Sequence, residues 1–210
     1  MKRRKTRGRV KRRRRRSQAA MRIAGVEKKF FEDYEPPSAL ASNTWVQLNG
    51  TPGCANAITQ GDGEQNRDGR KVVVTNLNSR IHLMAGANTK AIRVIILIDR
   101  QTNGTSATVA DFLEGTNFLT YRNLPNTQRF QFLADFFVDE KYLLGSPVAG
   151  SDNVVEKYFK LDLPVQYSAS TGSISDITDN SIQMWAYSDG DASTYEMYNR
   201  VRLIVTGKQV

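Results

Sequence analysis

The largest group of side chains able to do chemistry in this sequence lies at its N-terminus. Residues 1–16 contain twelve basic side chains and no acidic one. Because twelve like charges repel one another and have no apolar partner, we expect this arm to be disordered on its own. Phosphate groups would neutralise it, and the release of counterions would make this binding depend on salt. The residues predicted to bind nucleic acid are Lys2, Arg3, Arg4, Lys5, Arg7, Arg9, Lys11, Arg12, Arg13, Arg14, Arg15 and Arg16.

The composition of the arm also limits what it can recognise. All five residues from Arg12 to Arg16 are arginine. A guanidinium group can bind phosphate through two parallel hydrogen bonds and can stack on unpaired bases. No aromatic residue lies within residues 1–16, so we expect the arm to neutralise phosphate without reading base sequence. Two other interpretations of the run stay open, a nuclear-localisation signal and a solvated tail.

Outside the arm, the charge balance reverses. The chain has 30 Lys and Arg and 21 Asp and Glu, and the arm holds twelve of the basic residues and none of the acidic ones. The other 194 residues therefore carry 18 basic and 21 acidic side chains, a net charge of −3 against +12 for the arm. This balance gives no sign of a basic stripe of the kind that grips a duplex.

Side chains that could catalyse a reaction or bind a metal are few. His82 is the only histidine and has no cysteine beside it, so we expect a strand residue there rather than a catalytic base or metal ligand. Cys54 is the only cysteine, which excludes an intrachain disulfide, and no general base lies near it in the sequence. The glycine-rich phosphate-binding motifs and the nucleophile motifs of common enzymes do not occur. We therefore predict that the protein is not an enzyme.

The hydropathy pattern bears on location. No apolar run approaches the ~20 residues that span a bilayer, and no apolar stretch follows the basic segment as it does in a secretory signal. We therefore expect a soluble protein made in the cytosol, without a membrane partner.

The elements that must carry these residues follow a β pattern from residue 44 onward. Alternating or continuous apolar runs predict about seven strands, at residues 44–48, 70–84, 91–98, 129–138, 154–167, 182–187 and 195–205. A slip in the alternation near Asn76-Leu77-Asn78 predicts a bulge. In the fourth run, we expect one face to hold Phe130, Phe132, Ala134 and Phe136.

Two short helices are also predicted. One lies at residues 108–113, within the long insertion 101–128. The other covers residues 19–33, although Gly25 weakens its pattern, and Pro36-Pro37 would end it. Regular strands without alternating helices indicate an all-β sandwich or jelly roll.

Residues 58–138 resemble, as one ordered block, the coat protein of satellite tobacco necrosis virus and its relatives. These relatives include capsid proteins of small circular single-stranded DNA viruses. The residues that carry the likeness are Ile58-Thr-Gln-Gly-Asp62, Gln65-Asn-Arg-Asp-Gly69, Lys71-Val-Val-Val, Ile98-Asp-Arg-Gln101, Asn103-Gly-Thr105, Ala107-Thr-Val-Ala-Asp-Phe-Leu113, Thr116-Asn-Phe-Leu119 and Gln128-Arg-Phe130. Residues 140–210 match only as a pattern of strands.

The resemblance implies a single eight-stranded antiparallel jelly roll that closes into a T = 1 shell of about sixty copies. The chain then divides into a nucleic-acid-binding arm (1–16), a linker with a partly helical stretch (17–43) and a shell domain (44–210). Its partners would be other copies of itself and a single-stranded viral genome. The protein would reside in the virion, and in the host nucleus or cytoplasm during assembly.

Two groups of residues are candidates for contacts between subunits. The loop that contains Asp62, Glu64, Arg67 and Asp68 carries charges of both signs, which can pair within the loop or with a neighbouring copy. Phe118 and Tyr121 lie in the long insertion, and aromatic residues are common at interfaces.

The resemblance also suggests that a structural calcium ion could bind, because shells of this type can bind calcium between subunits through oxygen ligands. The pairs Asp176/Asp179 and Asp189/Asp191 lie in predicted loops, but Thr194 stands where a calcium loop needs glycine. The family's ligands cannot be matched to residues here. We therefore predict no metal site and no cofactor, and solvated loop acids instead.

The leading hypothesis is a self-assembling capsid protein. The alternative is a cellular nucleic-acid-binding protein with a basic tail, which would explain the arm but not the slightly acidic body; a jelly-roll lectin would leave the arm unexplained. Neutralising a backbone does not distinguish DNA from RNA. The Arg12–Arg16 block resembles arms of circular single-stranded DNA viruses, which favours DNA.

Overall fold

The computed structural model of the chain describes residues 27–50, 52–86, 88–139 and 154–205. The strands are β1 (Glu27–Leu40), β2 (Trp45–Gln47), β3 (Lys71–Met84), β4 (Ala91–Asp99), β5 (Phe130–Asp139), β6 (Val154–Tyr167), β7 (Ile177–Asp179), β8 (Ser181–Asp189) and β9 (Ser193–Val205). The helix α1 is Val109–Phe112, and 3-10 turns lie at Leu124–Asn126 and Ile174–Asp176. None of the helices in these ranges is long and apolar enough to cross a membrane.

The order of the strands in the two sheets is that of a jelly roll. One sheet has the order β1-β9-β3-β6-β7 and the other β2-β8-β4-β5, and all the pairings are antiparallel. Long connections carry the chain repeatedly from one sheet to the other, as a double Greek key requires. The prediction of a single antiparallel jelly roll is confirmed. Its strand count is nine rather than eight, because the three-residue strand β7 adds to the edge of β6.

A bulge in β3 keeps its apolar residues on the face that covers the core. The register with both neighbouring strands shifts between Val74 and Asn76, close to the predicted slip. Because the extra residue Thr75 changes the parity of the strand, Leu77 faces the core as Val72 and Val74 do, and all three are buried.

Strand β4 is buried on both faces, as its continuous apolar run predicts. Ile92 and Ile96 belong to the main core between the sheets. Ile95 and Leu97 belong to a second apolar cluster on the other side of the β2-β8-β4-β5 sheet. This second cluster lies under the insertion, so that the insertion covers the outer side of that sheet.

The prediction that one face of β5 holds Phe130, Phe132, Ala134 and Phe136 is wrong. The pairing of β5 with β4 skips Leu133, which forms a bulge. Phe130 and Phe132 therefore pack into the second cluster, whereas Ala134 and Phe136 pack against the main core. A bulge reverses the side on which every later residue of the strand lies, and local alternation does not reveal it.

The predicted helix over residues 19–33 is wrong for residues 27–33, which belong to strand β1; residues 19–26 lie outside the described residues. β1 pairs with β9 from Glu27 to Leu40, apart from a break between Glu35 and Ser38. Phe31 packs against the main core, whereas Phe30 is 40% exposed on the opposite face. Burial of one face against a partner strand outweighs a local helical pattern whose spacing is imperfect.

The division that placed residues 17–43 in a linker is therefore corrected. Residues 27–40 are part of the five-stranded sheet, and only residues 17–26 stay in the predicted linker, outside the described residues. Pro36 and Pro37 lie where the register breaks between Glu35 and Ser38. Proline is tolerated there because β1 is an edge strand and the break lacks regular ladder hydrogen bonds.

The short helix predicted at residues 108–113 is confirmed by α1. The backbone N–H and the hydroxyl of Thr108 donate to the Asp111 carboxylate at 2.7 and 2.8 Å, which stabilises the first turn. Phe112 is buried and packs on Trp185 of β8, with ring centroids 5.5 Å apart. The helix thereby fixes the insertion to the β2-β8-β4-β5 sheet.

Candidate nucleic-acid and subunit interfaces

The twelve basic residues of the arm lie outside the described residues, so their role in binding nucleic acid stays a prediction. The chain that follows them enters the fold at Glu27, the first residue of β1. β1 is the edge strand of the five-stranded sheet. The described part of the chain therefore begins at the edge of this sheet.

Arg67, a predicted subunit contact, is buried inside its own chain with 0% exposure. Its Nε donates to the carbonyl of Ile58 at 2.8 Å, its Nη1 to that of Gly69 at 2.6 Å and its Nη2 to that of Ala169. The guanidinium also lies 3.9 Å from the ring centroid of Tyr167. The prediction of a subunit contact is wrong for Arg67, because a buried guanidinium needs all its donors satisfied locally.

Asp68 serves the fold of its own chain as well. Its Oδ1 lies 2.5 Å from Nζ of Lys29 in β1, and the two side chains are 11% and 5% exposed. This contact ties the loop to the edge of the sheet and leaves little of Asp68 accessible. Asp62 and Glu64 are exposed, and they remain the candidates of this loop for contact with another subunit.

The two aromatic candidates of the insertion differ in exposure. Phe118 is half-buried, and its ring centroid lies 5.2 Å from that of Phe137 and 5.5 Å from that of Tyr187. Tyr121 is 80% exposed. Phe118 therefore supports the second cluster, whereas Tyr121 presents its ring to the surroundings.

Tyr121 belongs to an apolar surface that the sequence did not outline. Leu119 is 73% exposed, Leu124 68% and Phe137 51%. Together with Tyr121 they line one groove of about 600 Å³. We call Leu119, Tyr121, Leu124 and Phe137 the insertion patch.

A buried arginine holds the insertion patch in place. Arg93 of β4 is 4% exposed, and its Nε and Nη2 donate to the two carboxylate oxygens of Asp135 at 2.9 and 3.0 Å. Its Nη1 donates to the carbonyls of Phe118 and Thr120, each at 2.8 Å. These bonds fix the backbone on both sides of Leu119. The only sequence signal for this role is a charge inside an apolar strand.

A second exposed surface is the outer face of strands β1, β9, β3 and β6. The register of these strands sets three rows of side chains side by side. We call these residues the aromatic sheet face: Phe30, Arg202, Asn76 and Lys160 in one row, Glu32, Arg200, Asn78 and Tyr158 in the next, and Tyr34, Tyr198, Arg80 and Glu156 in the third.

The aromatic rings of this face are accessible. Tyr34 and Tyr198 stack on each other with centroids 4.3 Å apart, yet they are 45% and 53% exposed. Phe30 is 40% exposed and Tyr158 63%. The sequence predicts a strand at residues 195–205, but its pattern does not tell which strands lie beside it.

The two acidic residues of the face are paired with arginines. Glu32 accepts from Nε of Arg200 at 2.7 Å, and Glu156 lies 3.1 Å from Nε of Arg80. Hydrogen bonds from Asn78 and Arg80 lower the pKa of Glu156, so that it is a carboxylate at neutral pH. These ion pairs are exposed and add little to stability.

His82 and Cys54 are the two residues that the sequence analysis considered for catalysis. His82 lies in β3, and its Nδ1 is 3.7 Å from Oε2 of Glu196. Cys54 is fully buried in the main core, and burial raises the pKa of its thiol well above the ordinary value. A buried thiol of this kind is protonated and unreactive.

The loop acids bind groups of their own chain. Burial acts to raise the pKa of Asp176, but hydrogen bonds from the Thr171 hydroxyl and the Gly172 N–H outweigh it, and the pKa is lowered. Asp191 accepts from the backbone and the side chain of Asn88 at 3.1 and 2.8 Å. The prediction of solvated loop acids is therefore wrong for Asp176, which is 3% exposed. In the described parts of the chain, no three His, Cys, Asp or Glu side chains form a metal-binding group.

The sequence model of the satellite tobacco necrosis virus coat protein family matches residues 1–197. The chain belongs to this family. The match includes the basic arm and extends past residue 138, beyond the block that carried the resemblance. The protein is thus a viral coat protein, with a structural role in the virion. Family membership excludes the alternative of a cellular protein with a basic tail.

Solved viral proteins resemble this coat protein in structure. The 60-mer BFDV capsid protein is 4% identical, with a TM-score of 0.37 over 88% of this chain and 97% of that one. Desmodium yellow mottle tymovirus is 11% identical, with a TM-score of 0.34 over 88% and 90% of the two chains. The infectious bursal disease virus VP2 subviral particle is 8% identical, with a TM-score of 0.32, and the match covers 88% of this chain but 34% of that one.

None of the curated protein sequences matches the chain. The TM-scores are low, and the assignment of the jelly roll rests on the order of the strands in the two sheets.

Proposed function

We propose that this coat protein assembles into a closed T = 1 shell of about sixty copies and packages single-stranded nucleic acid, with DNA favoured over RNA. The observation that supports this is the division of charge, +12 in residues 1–16 and −3 in the rest of the chain. The jelly roll makes the shell and the arm neutralises the genome, without a catalytic step. Assembly takes place in the host nucleus or cytoplasm.

The size of the cargo follows from the charge of the arms. About sixty arms with twelve charges each supply roughly 700 positive charges, against one negative charge per nucleotide. If the genome carries up to about twice the charge that the arms neutralise, the cargo is on the order of one to two thousand nucleotides.

The insertion patch is the proposed contact between copies. Four large side chains are exposed there, and Arg93 already holds the backbone on both sides of Leu119 in place. A preorganised apolar surface loses little conformational entropy when it is covered. Asp62 and Glu64, exposed in a separate loop, are further candidates for contacts between copies.

The proposal is tested on the purified full chain by negative-stain microscopy, nuclease protection and sequencing of the extracted nucleic acid. We expect uniform shells roughly 20 nm across that contain protected nucleic acid. A chain that stays monomeric across salt and pH, with and without added nucleic acid, would contradict the proposal.

The role of the arm is tested by deleting residues 1–16. We expect the truncated chain to unfold at the same temperature as the full chain but to form shells without cargo, since the cationic charge that binds phosphate is lost. As a matched control, replacing Arg12–Arg16 by lysine keeps the charge and should keep the cargo. Normal packaging by the truncated chain would refute the assigned role.

A further inference from the structure

The exposed large apolar side chains of the described residues fall into two groups. Four form the insertion patch, and the other five lie on the outer face of the five-stranded sheet: Phe30, Tyr34, Val154, Tyr158 and Tyr198. Four of these five are aromatic and belong to the aromatic sheet face. The insertion covers the opposite sheet, whereas nothing in the described ranges packs on the outer face of this one.

The aromatic sheet face also gathers positive charge. Its three rows contain four basic side chains and two acidic ones. Both acids are paired, with Arg200 and Arg80. Arg202 and Lys160 are exposed and have no ion-pair partner among the residues that the structure describes. The three rows therefore have a net charge of +2, although the body as a whole has a net charge of −3. In the next row, the Glu196 carboxylate accepts a hydrogen bond from the Tyr34 hydroxyl at 2.9 Å.

The spacing of the rows suits separated bases. Residues two apart on a strand lie about 6.6 Å apart, whereas stacked nucleotides in a duplex strand lie about 3.4 Å apart. Phe30, Tyr158 and the stacked pair of Tyr34 and Tyr198 lie in three different rows. A single strand with splayed bases can place one base at each of these three positions, and a duplex, whose bases are already stacked, cannot. The basic side chains between the rings are positioned for the phosphates.

We propose that the aromatic sheet face binds single-stranded nucleic acid, with bases on the rings of Phe30, Tyr34, Tyr158 and Tyr198 and phosphates on Arg202 and Lys160. This deepens the proposed function, on which it rests, because it assigns the shell domain its own contact with the cargo. Aromatic stacking supplies what the arm lacks, since residues 1–16 contain no aromatic residue.

Other occupants of the face are disfavoured by charge. A second copy that docks face to face would set one positive surface against another. The arm of the same chain is also positive, so it would be repelled from the face. The negative charge of nucleic acid complements both the face and the arm. Because the arm precedes β1 in the same chain, cargo bound by the arm meets the face at a high effective concentration.

The direct test is ultraviolet cross-linking of the full chain to a single-stranded thymidine or uridine oligonucleotide, followed by peptide mapping. We expect cross-linked peptides that contain Tyr158 and Tyr198, in addition to any from the arm. Cross-links confined to residues 1–16 would overturn the inference and leave packaging by the arm intact. Shells of the full chain that contain no nucleic acid would instead count against the proposed function, whichever residues are cross-linked.

A variant test at high salt separates the contribution of base stacking to binding from that of phosphate neutralisation. At about 0.5 M salt, where screening suppresses the contribution of the arm, we expect Tyr198→Ala to weaken oligonucleotide binding at least about five-fold. Ser170→Ala, an exposed residue outside the aromatic sheet face and the insertion patch, is the control and should leave binding unchanged. Equal affinities of the wild type and Tyr198→Ala would overturn the inference. So would shells that fall apart in Tyr198→Ala, since the face would then be a subunit contact.

Discussion

Buried charged side chains hold the loops of this coat protein in place. Arg67 joins three carbonyls from two loops, and Arg93 joins Asp135 to the insertion. Asp99 is fully buried, and Arg129 lies 2.9 Å from it. Burying a charge is costly unless its hydrogen bonds are all made. The loops are therefore fixed only in conformations that satisfy these groups.

Replacing Arg67 by methionine tests this at the residue scale. We expect the free energy of unfolding to fall by about 3 kcal/mol, because buried carbonyls lose their donors. Arg70→Met is the matched control, since Arg70 is exposed near the same loop. Denaturant unfolding of both variants is the measurement, and equal stability would show that Arg67 is not needed for the fold.

At the scale of elements, β1 shows how a partner strand overrides a local pattern. The segment has apolar residues at near-helical spacing, yet it forms a strand that pairs with β9 on both sides of a break between Glu35 and Ser38. The strand sends Phe31 into the core and leaves Phe30 outside. The bulge at Leu133 acts in the same non-local way on β5, because it divides that strand between two clusters.

Alanine substitutions in β1 test the strand assignment. We expect Phe31→Ala to lower the free energy of unfolding by about 2 kcal/mol, since it leaves a cavity beside the main core. Phe30→Ala, its neighbour on the exposed face, should cost less than about 1 kcal/mol. Thermal or denaturant unfolding measures both. A larger loss for Phe30→Ala would mean that β1 has the opposite register.

At the scale of the whole molecule, the two sheets differ in how their outer faces are covered. The insertion packs over the β2-β8-β4-β5 sheet through the second cluster. The outer face of the other sheet has nothing packed on it among the described residues and carries the aromatic sheet face. The two sides of the molecule therefore differ. The insertion on one sheet carries an apolar patch, and the outer face of the other sheet carries aromatic and basic side chains.

This difference predicts that a tyrosine-to-glutamate substitution has different effects on the two surfaces. Tyr121→Glu should prevent shell formation, because a buried carboxylate in a subunit contact costs about 2 kcal/mol or more. Tyr158→Glu is the matched variant, and we expect it to form shells with less bound nucleic acid. Sedimentation and light scattering measure assembly. Normal shells from Tyr121→Glu would exclude the insertion patch as a contact.

The sequence alone determined the basic arm, the β class and the shortage of catalytic residues. These depend on composition and on periodicity within one segment, which are local properties. The strands β3, β4, β6 and β9 were predicted close to their true bounds for that reason, and the helix α1 was too.

Only the tertiary structure decided which residues share a surface. In the sequence, Arg67 is one of several charged residues in a predicted loop. In the structure, one of its hydrogen-bond partners is the carbonyl of Ala169, 102 positions away in the chain. Likewise, Phe30, Arg202 and Lys160 form one row only because three pairings bring β1, β9, β3 and β6 side by side. Strand order and register arise from the packing of distant segments, and the periodicity of any one segment does not contain them.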